Sequence, residues 1–414
     1  MADATDILVV GAGHGGARAA STLRLNGFQG SITVVGEEPD LPYERPPLSK
    51  DYLSGAKGFD RLLLRPETFW MSKNISMVLG RRVVAVHAGQ HTALLADGEA
   101  IRYGTMIWAT GGRPRRLSCE GGTLAGIHSI RDRADVDHLL RELPAAHRVV
   151  VIGAGYIGLE VAAVLTKLQK HVTVLEAMDR VLPRVAGLPL SRFYEAEHRA
   201  HGVDLRFGAN VTRIEGENGR ASAVRLQDGT LVPADMVIVG IGILPAVGPL
   251  IDAGADGSLV TGVEIDARCR TTLPDIYAIG DCALHANAFA GGDRIRLESI
   301  QNAYDMAAIA AATIMDDGKD YHAVPTFWSN QYDLRLQTVG LSLGHDQTIV
   351  RGSPEQRSFS VIYLRNEIVV ALDCVNATAD FMQGRALVET GARSPVKYLA
   401  DPAVPLKSLV ENIG

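Results

Sequence analysis

The chain has 414 residues, 47% of them hydrophobic and 21% charged, with a formal net charge of −6. That length exceeds one ordinary domain and points to two or three, while the acidic balance speaks against nucleic acid as a general partner. Four widely spaced cysteines (Cys119, Cys269, Cys282, Cys374) form no CxxC pair, which excludes a disulfide scaffold and reads as free thiols in a reducing compartment.

In chain order, the first six residues lead into a strand with no basic n-region before an apolar stretch, so no secretory signal and a cytoplasmic location are expected. Residues 7–10 are a short apolar run of the kind buried in a parallel sheet. A glycine turn and an Ala-rich helical pattern to about residue 25 follow, then a β-branched run at 32–35 ending at Gly36-Glu37, which makes one βαβ unit. Residues 42–47 read as a stiff loop, 83–86 with 92–95 as a hairpin pair, and 106–111 as a returning strand. Gly112-Arg113-Pro114 suggests a boundary, after which residues 149–152, a helix over about 157–168 and a strand at 172–175 ending at Glu176 form a second βαβ unit. Hairpin-like segments lie at about 210–215 and 222–232. Buried strands follow at 236–242, ending in Gly242, and at 276–281, then an Ala-rich helix over about 303–314. From about Pro325 apolar and polar residues alternate, predicting an antiparallel sheet in a third domain. The apolar stretch 149–165 carries Glu160 and four Gly or Tyr interruptions, and reads as strand plus helix rather than a membrane span.

The glycine-rich dinucleotide fingerprint occurs twice, as Gly11-Ala12-Gly13-His14-Gly15-Gly16 and as Gly153-Ala154-Gly155-Tyr156-Ile157-Gly158. In each copy the first glycine permits the tight turn, the second lets the backbone approach a pyrophosphate and the last lets helix and strand pack closely. The helix N-terminus then faces the phosphates with its amides and dipole. Glu37 lies 21 residues after Gly16 and Glu176 lies 18 after Gly158, each placed to accept bonds from a ribose hydroxyl pair. The Glu176 carboxylate would repel a 2′-phosphate and so favour NADH over NADPH. Arg180 and Arg184 follow and either could reach a phosphate, Arg180 reading equally as solvated surface charge. Two such units in one chain imply two redox nucleotides and a hydride passed between them. His198 and His201, three apart on a helical pattern without a third ligand, read as solvated rather than metal-binding, and no metal site is expected.

Together with Ala109-Thr110-Gly111-Gly112-Arg113-Pro114 and Tyr277-Ala278-Ile279-Gly280-Asp281, these motifs resemble the two-dinucleotide flavoprotein reductases. Arg45-Pro46-Pro47-Leu48-Ser49-Lys50, Gly155-Tyr156-Ile157-Gly158-Leu159-Glu160 and Phe327-Trp328-Ser329-Asn330-Gln331-Tyr332 narrow the resemblance. They are similar to the FAD-dependent NADH:ferredoxin reductases of bacterial oxygenase systems, the putidaredoxin reductase and biphenyl dioxygenase reductase family. The resemblance spans essentially the whole chain, including Val404-Pro405-Leu406-Lys407. It implies an α/β fold with two Rossmann-like, glutathione-reductase-like domains and a C-terminal α+β domain. The FAD domain would take residues 1–113 and 243–322, the NADH domain 114–242 and the last domain 323–414.

By the same resemblance the first fingerprint, Glu37, Arg45, Val83, Ala109, Thr110, Gly111, Arg131 and Asp281 would hold FAD. The helix beginning at Ile300 would point its N-terminus at the flavin pyrimidine edge. Lys50 would sit by flavin N5, presented from the stiff Pro46-Pro47 pair. Trp328 would lie close to the isoalloxazine ring. Glu160 would lie near the nicotinamide, able to pair with Lys50 when NADH is absent. Gly153, Gly155, Gly158, Glu176, Arg184 and Gly242 complete the expected NADH site.

Relatives that reduce disulfides or peroxides place cysteine early, near position 42 or on the first helix. Here the corresponding stretch is Pro42-Tyr43-Glu44-Arg45 and the first cysteine is Cys119. Electrons should therefore leave singly from the flavin edge to an external 2Fe-2S ferredoxin that feeds an oxygenase, with Lys407 as a contact. The expected helix over 303–314 has no Lys or Arg, where relatives often have one. A rubredoxin reductase, an NADH oxidase or quinone-type flavoenzyme, and a flavin-dependent interaction protein of the apoptosis-inducing type stay open beside this reading.

Overall fold

The computed structural model describes residues 3–410. The chain divides into two compact units. One comprises residues up to Glu44 with Phe59–Arg113 and Ile243–Pro325, and the other Arg45–Gly58, Pro114–Gly242 and Thr326 onward. Residues 45–58, expected within the FAD domain, thus group with the second unit.

In the first unit, the strands Asp3–Val10, Ile32–Val35 and Ile75–Val78 run parallel on one side of the sheet. Asp3–Val10 pairs on its other side with Ala100–Trp108, Val10 facing Trp108. Ala100–Trp108 is flanked in turn by the antiparallel hairpin Val83–His87 and Thr92–Leu95 and by the parallel strand Ile276–Ala278. The central runs are buried on both faces, which is why they read as unbroken Val/Ile/Leu rather than as alternation. The helices His14–Leu25 and Ile300–Ile314 pack against each other, with Gly15 close to Ala303 and the His14 ring 6.0 Å from that of Tyr304.

The second unit repeats the plan. A parallel sheet runs Asp204–Arg206, His171–Leu175, Arg148–Ile152, Met236–Val239, Ile127–His128, with the helix Tyr156–Lys167 following its central strand. A three-stranded antiparallel sheet (Val211–Glu217, Arg220–Leu226, Leu231–Pro233) packs its Ile214, Val224 and Val232 on Val150, Ile152 and Val237. From Thr326 the expected antiparallel sheet is present with five strands, in the order Thr326–Gln331, Leu334–Gly340, Ile368–Val375, Ser358–Arg365, Gln347–Ser353. The helix Thr378–Thr390 lies on it. The fold is thus α/β with two Rossmann-like parts and a C-terminal α+β part.

Candidate functional site

The two fingerprints are built to the same constraints. Gly11 adopts φ +110° and Gly153 φ +105°. A Cβ on Gly11 would lie 2.4 Å from the Ala109 carbonyl oxygen, and one on Gly153 2.4 Å from that of Gly240. A Cβ on Gly16 would fall 1.9 Å from the Gly11 oxygen, and one on Gly158 2.0 Å from the Gly153 oxygen. No other residue fits these four positions, because turn and first helical turn share the same space. Gly155 differs: a Cβ there meets nothing within 4 Å, so its glycine leaves open space rather than serving a packing contact. The helices that begin at His14 and Tyr156 have no side-chain cap and no acidic residue in their first turn. Their leading amides and dipoles are therefore available to an anion, and the residues present fit a dinucleotide pyrophosphate at each turn.

In the first unit Ala109–Gly111 closes behind the fingerprint. The Ala109 amide donates to Val10 O at 2.7 Å and the Thr110 hydroxyl to Ala246 O at 2.8 Å. Glu37 is more than half exposed and ion-paired with Arg113 at 3.0 Å. Val83 is buried at the start of its strand. Asp281 is half-buried on the turn Gly280–Cys282. The helix that starts at Ile300 is capped by Ser299, whose Oγ accepts from the Asn302 amide at 3.1 Å.

In the second unit Glu176 accepts from the Ala154 amide at 2.8 Å and from the Met178 amide at 2.9 Å, so it braces the fingerprint turn from within. Arg180 is not merely solvated surface charge. Its guanidinium donates to Pro183 O at 2.9 Å and Ala186 O at 3.2 Å, tying down the loop over residues 181–187. Arg184 on that loop is exposed. Gly242 takes φ +95° with open space about its Cα.

The expected Lys50–Glu160 pair is present. Lys50 Nζ lies 2.5 Å from Glu160 Oε2, with the two side chains 14% and 5% exposed. The hydroxyls of Ser49 and Ser329 donate to the two carboxylate oxygens at 2.6 Å each. The Trp328 ring stands 5.3 Å from Lys50 Nζ and is substantially exposed. Helix and strand periodicity explain the meeting. Four helical residues and two strand residues each advance roughly 6 Å, so Tyr156 and Glu160 fall opposite Phe327 and Ser329. The Tyr156 and Phe327 rings accordingly sit 4.4 Å apart. Arg45 lies in this unit too and donates to the Arg131 carbonyl at 2.7 Å. Sequence reasoning singles out Glu160 and Lys50 but misses Ser49 and Ser329 as their partners, although the alternation 327, 329, 331 in the quoted motif carries the signal for Ser329.

One expectation is overturned. His198 is not solvated: it is fully buried, with Nε2 2.8 Å from Gln331 Oε1 and Nδ1 3.0 Å from the Tyr332 hydroxyl. Burial pushes its pKa down to about 4, the Gln331 bond opposing. His201 is exposed and stacks on Tyr332 at 3.7 Å. Among the described residues no group of three or more His, Cys, Asp or Glu could hold a metal ion, and no helix is long and apolar enough to cross a membrane. All four cysteines are free. Cys269, Cys282 and Cys374 are buried, and burial raises their thiol pKa values. Lys407 is exposed on the turn Leu406–Leu409.

Comparison with known proteins matches residues 5–307 to the pyridine nucleotide-disulphide oxidoreductase family and residues 326–410 to the reductase C-terminal domain. The chain is 57% identical to the 5,5′-dehydrodivanillate O-demethylase ferredoxin reductase subunit of Sphingobium sp., covering 99% of each chain. It is 54% identical to a ferredoxin–NAD(P)(+) reductase of Sphingomonas sp., over 98% of this chain and 97% of that one. It also resembles the crystal structure of a covalent putidaredoxin reductase–putidaredoxin complex, with TM-score 0.94, 38% identity and 98% of each chain covered.

Proposed function

The chain belongs to the pyridine nucleotide-disulphide oxidoreductase family, and from that premise we infer that it is an FAD-containing NADH:ferredoxin reductase serving an oxygenase. The pair of uncapped glycine-turn helix N-termini, one with open space at Gly155, carries this reading. The full-length likeness to reductases named for ferredoxin partners gives it direction.

Gly11, Gly13, Gly15 and Gly16 would hold the FAD pyrophosphate and Glu37 its ribose, with Ala109–Gly111, Val83, Arg45, Arg131, Asp281 and Ile300 around the rest. Gly153, Gly155 and Gly158, with Glu176, Arg184 and Gly242, would hold NADH. Bound FAD would supply the exchange between a two-electron hydride and single electrons. Lys50, Glu160 and Trp328 would orient the reacting rings, Lys50 placing a positive charge where negative charge develops. The two nucleotide domains would be residues 1–113 with 243–322, and 114–242, and residues 323–414 would help seat a 2Fe-2S ferredoxin, with Lys407 among the contacts. Burial of Cys269, Cys282 and Cys374, which raises their thiol pKa values, supports an electron path that does not run through these sulfurs. Free cysteines also suit a cytoplasmic location.

The test is anaerobic mixing of the yellow protein with NADH or NADPH. This is followed by NADH-driven cytochrome c reduction with and without 2Fe-2S ferredoxins. Rapid bleaching by NADH and ferredoxin-dependent cytochrome c reduction are expected. A colourless protein that takes up no FAD, or reduction that no ferredoxin accelerates, would overturn the reading.

A further inference from the structure

The polar side chains around Glu160 continue past Ser329. Gln331, two residues along the same strand and so on the same face, donates Nε2–H to Ser329 Oγ at 3.3 Å. Its Oε1 lies 2.8 Å from His198 Nε2, and His198 Nδ1 lies 3.0 Å from the Tyr332 hydroxyl. Ser329, Gln331 and His198 are at most 1% exposed, Tyr332 is half-buried and His201 beyond it is exposed. The row therefore runs from a buried carboxylate to the surface.

We propose that Gln331, His198 and Tyr332 are positioning residues for Glu160, acting through Ser329 by hydrogen bonds that all donate toward the carboxylate. The proposal rests on the reading that Glu160 serves the nicotinamide. Each link sets the next. Tyr332 donates to Nδ1, which leaves the His198 proton on Nε2. That N–H needs an acceptor, so Gln331 turns its oxygen to His198 and its amino group to Ser329. Ser329 Oγ, having accepted from Gln331, aims its single proton at Glu160 Oε1. Bonds aligned head to tail in a dry interior polarise one another and strengthen the last, charge-assisted member. Ser49 and Lys50 complete the cradle at Oε2. The titratable and charged groups facing the row are Lys50, Tyr156 and Tyr194 at the Glu160 end, and His201 and Glu197 at the other.

Two measurements on the FAD-loaded protein test this. The first is 15N NMR of histidine-labelled enzyme, with His198 assigned by its loss in His198→Gln. A neutral Nε2–H ring unmoved between about pH 5.5 and 8 is expected. An Nδ1–H ring, or titration in that range, would overturn the proposal. The second compares NADH reduction rates and their pH profiles in Ser329→Ala, Gln331→Glu and Tyr332→Phe. A carboxylate at position 331 cannot donate to Ser329, so the serine proton is drawn away from Glu160. Gln331→Glu and Ser329→Ala should each then slow reduction about fivefold and displace the pH profile in the same direction. Tyr332→Phe, which keeps the ring stacked on His201, should give a smaller shift and serves where Gln331→Glu does not fold. An unchanged profile in Ser329→Ala, or in the position-331 and position-332 variants beside a displaced one in Ser329→Ala, would overturn the proposal. Failure of NADH to reduce the unmodified enzyme would instead sink the functional reading alone, and the tautomer result would stand apart from it.

Discussion

The backbone amide of Gly187 donates to the hydroxyl of Tyr363 at 2.9 Å, and that hydroxyl donates in turn to Asp373 Oδ2 at 2.6 Å. Gly187 ends the loop over 181–187, whose other end is held where the Leu182 amide donates to Ala154 O at 3.0 Å in the second fingerprint. The C-terminal sheet therefore fixes the geometry of a loop that borders the expected NADH site. Removing the hydroxyl in Tyr363→Phe orphans the Gly187 amide. It should raise the KM for NADH about fivefold with kcat nearly unchanged. Steady-state kinetics check this, and an unaltered KM would separate the loop from coenzyme binding. Gly187→Ala should do more, because its Cβ would lie 2.6 Å from Tyr363 Cε1. Overpacking of that kind costs about 1–3 kcal/mol.

Asp373 and His198 should impose opposite pH dependence on stability. Burial raises the Asp373 carboxyl to about 6, against the opposing bonds from Tyr363 and Thr338. The unfolded chain ionises this group near 4 while the native state keeps its proton. Its contribution is therefore full below about pH 4 and lost as pH rises to about 6, some 3 kcal/mol at most. His198 runs the other way. Its pKa of about 4 means the unfolded chain takes up a proton first, so stability falls as pH drops from about 6.5 to 4. The two slopes offset each other in the unmodified protein and emerge singly in variants. Denaturant melts of Asp373→Asn should gain on the parent as pH rises from about 4.5 to 7. A constant difference across that range would show that Asp373 is ionised in the native state throughout.

The Lys50–Glu160 pair is nearly dry, so breaking it from one side leaves a buried charge. Lys50→Met should lower stability by about 3–5 kcal/mol. The double variant Lys50→Met with Glu160→Gln should recover most of that loss, because the orphaned carboxylate is gone. A thermal-melt double-mutant cycle gives the coupling directly. Additive losses would mean that Lys50 and Glu160 are not coupled and that the hydroxyls of Ser49 and Ser329 suffice to satisfy the carboxylate. Reduction by NADH should stay slow in both variants, since the cation is missing from each.

Both fingerprints were legible because everything they need is local: strand, glycines, helix and acid lie within about 30 residues. Lys50 and Glu160 were legible only through a motif resemblance, since 110 positions separate them. His198 was misread for the same reason. Its adjacent residues Glu197 and Arg199 are charged, although Tyr194 one turn earlier is buried, and its partner Gln331 lies 133 positions away on a strand. The grouping of residues 45–58 with the second unit likewise depends on distant polar partners: Arg45 on Arg131, Lys50 on Glu160 and Tyr52 on Asp137. The helix Thr378–Thr390 left little trace in the pattern because only Gly384, Leu387 and Val388 are buried along it.

Glu176 carries two duties that a substitution would separate. Its carboxylate braces the second fingerprint by accepting from the Ala154 and Met178 amides, one on each oxygen, and each oxygen keeps further acceptor capacity. A ribose hydroxyl pair can use that capacity, while a 2′-phosphate meets a negative charge already fixed in place. Glu176→Gln removes the charge but turns an amino group toward one of the two backbone donors. It should therefore cost about 1–2 kcal/mol of stability, weaken NADH binding, and shift the ratio of kcat/KM for NADPH over NADH upward about tenfold. Glu176→Ala paired with an added arginine should shift the ratio further, at a larger loss of stability, because both amides then lose their acceptor. Coenzyme kinetics and melting curves on the same preparations distinguish the two duties. A fall in stability with an unchanged coenzyme ratio would mean that Glu176 only braces the turn and that selectivity is set elsewhere in the domain.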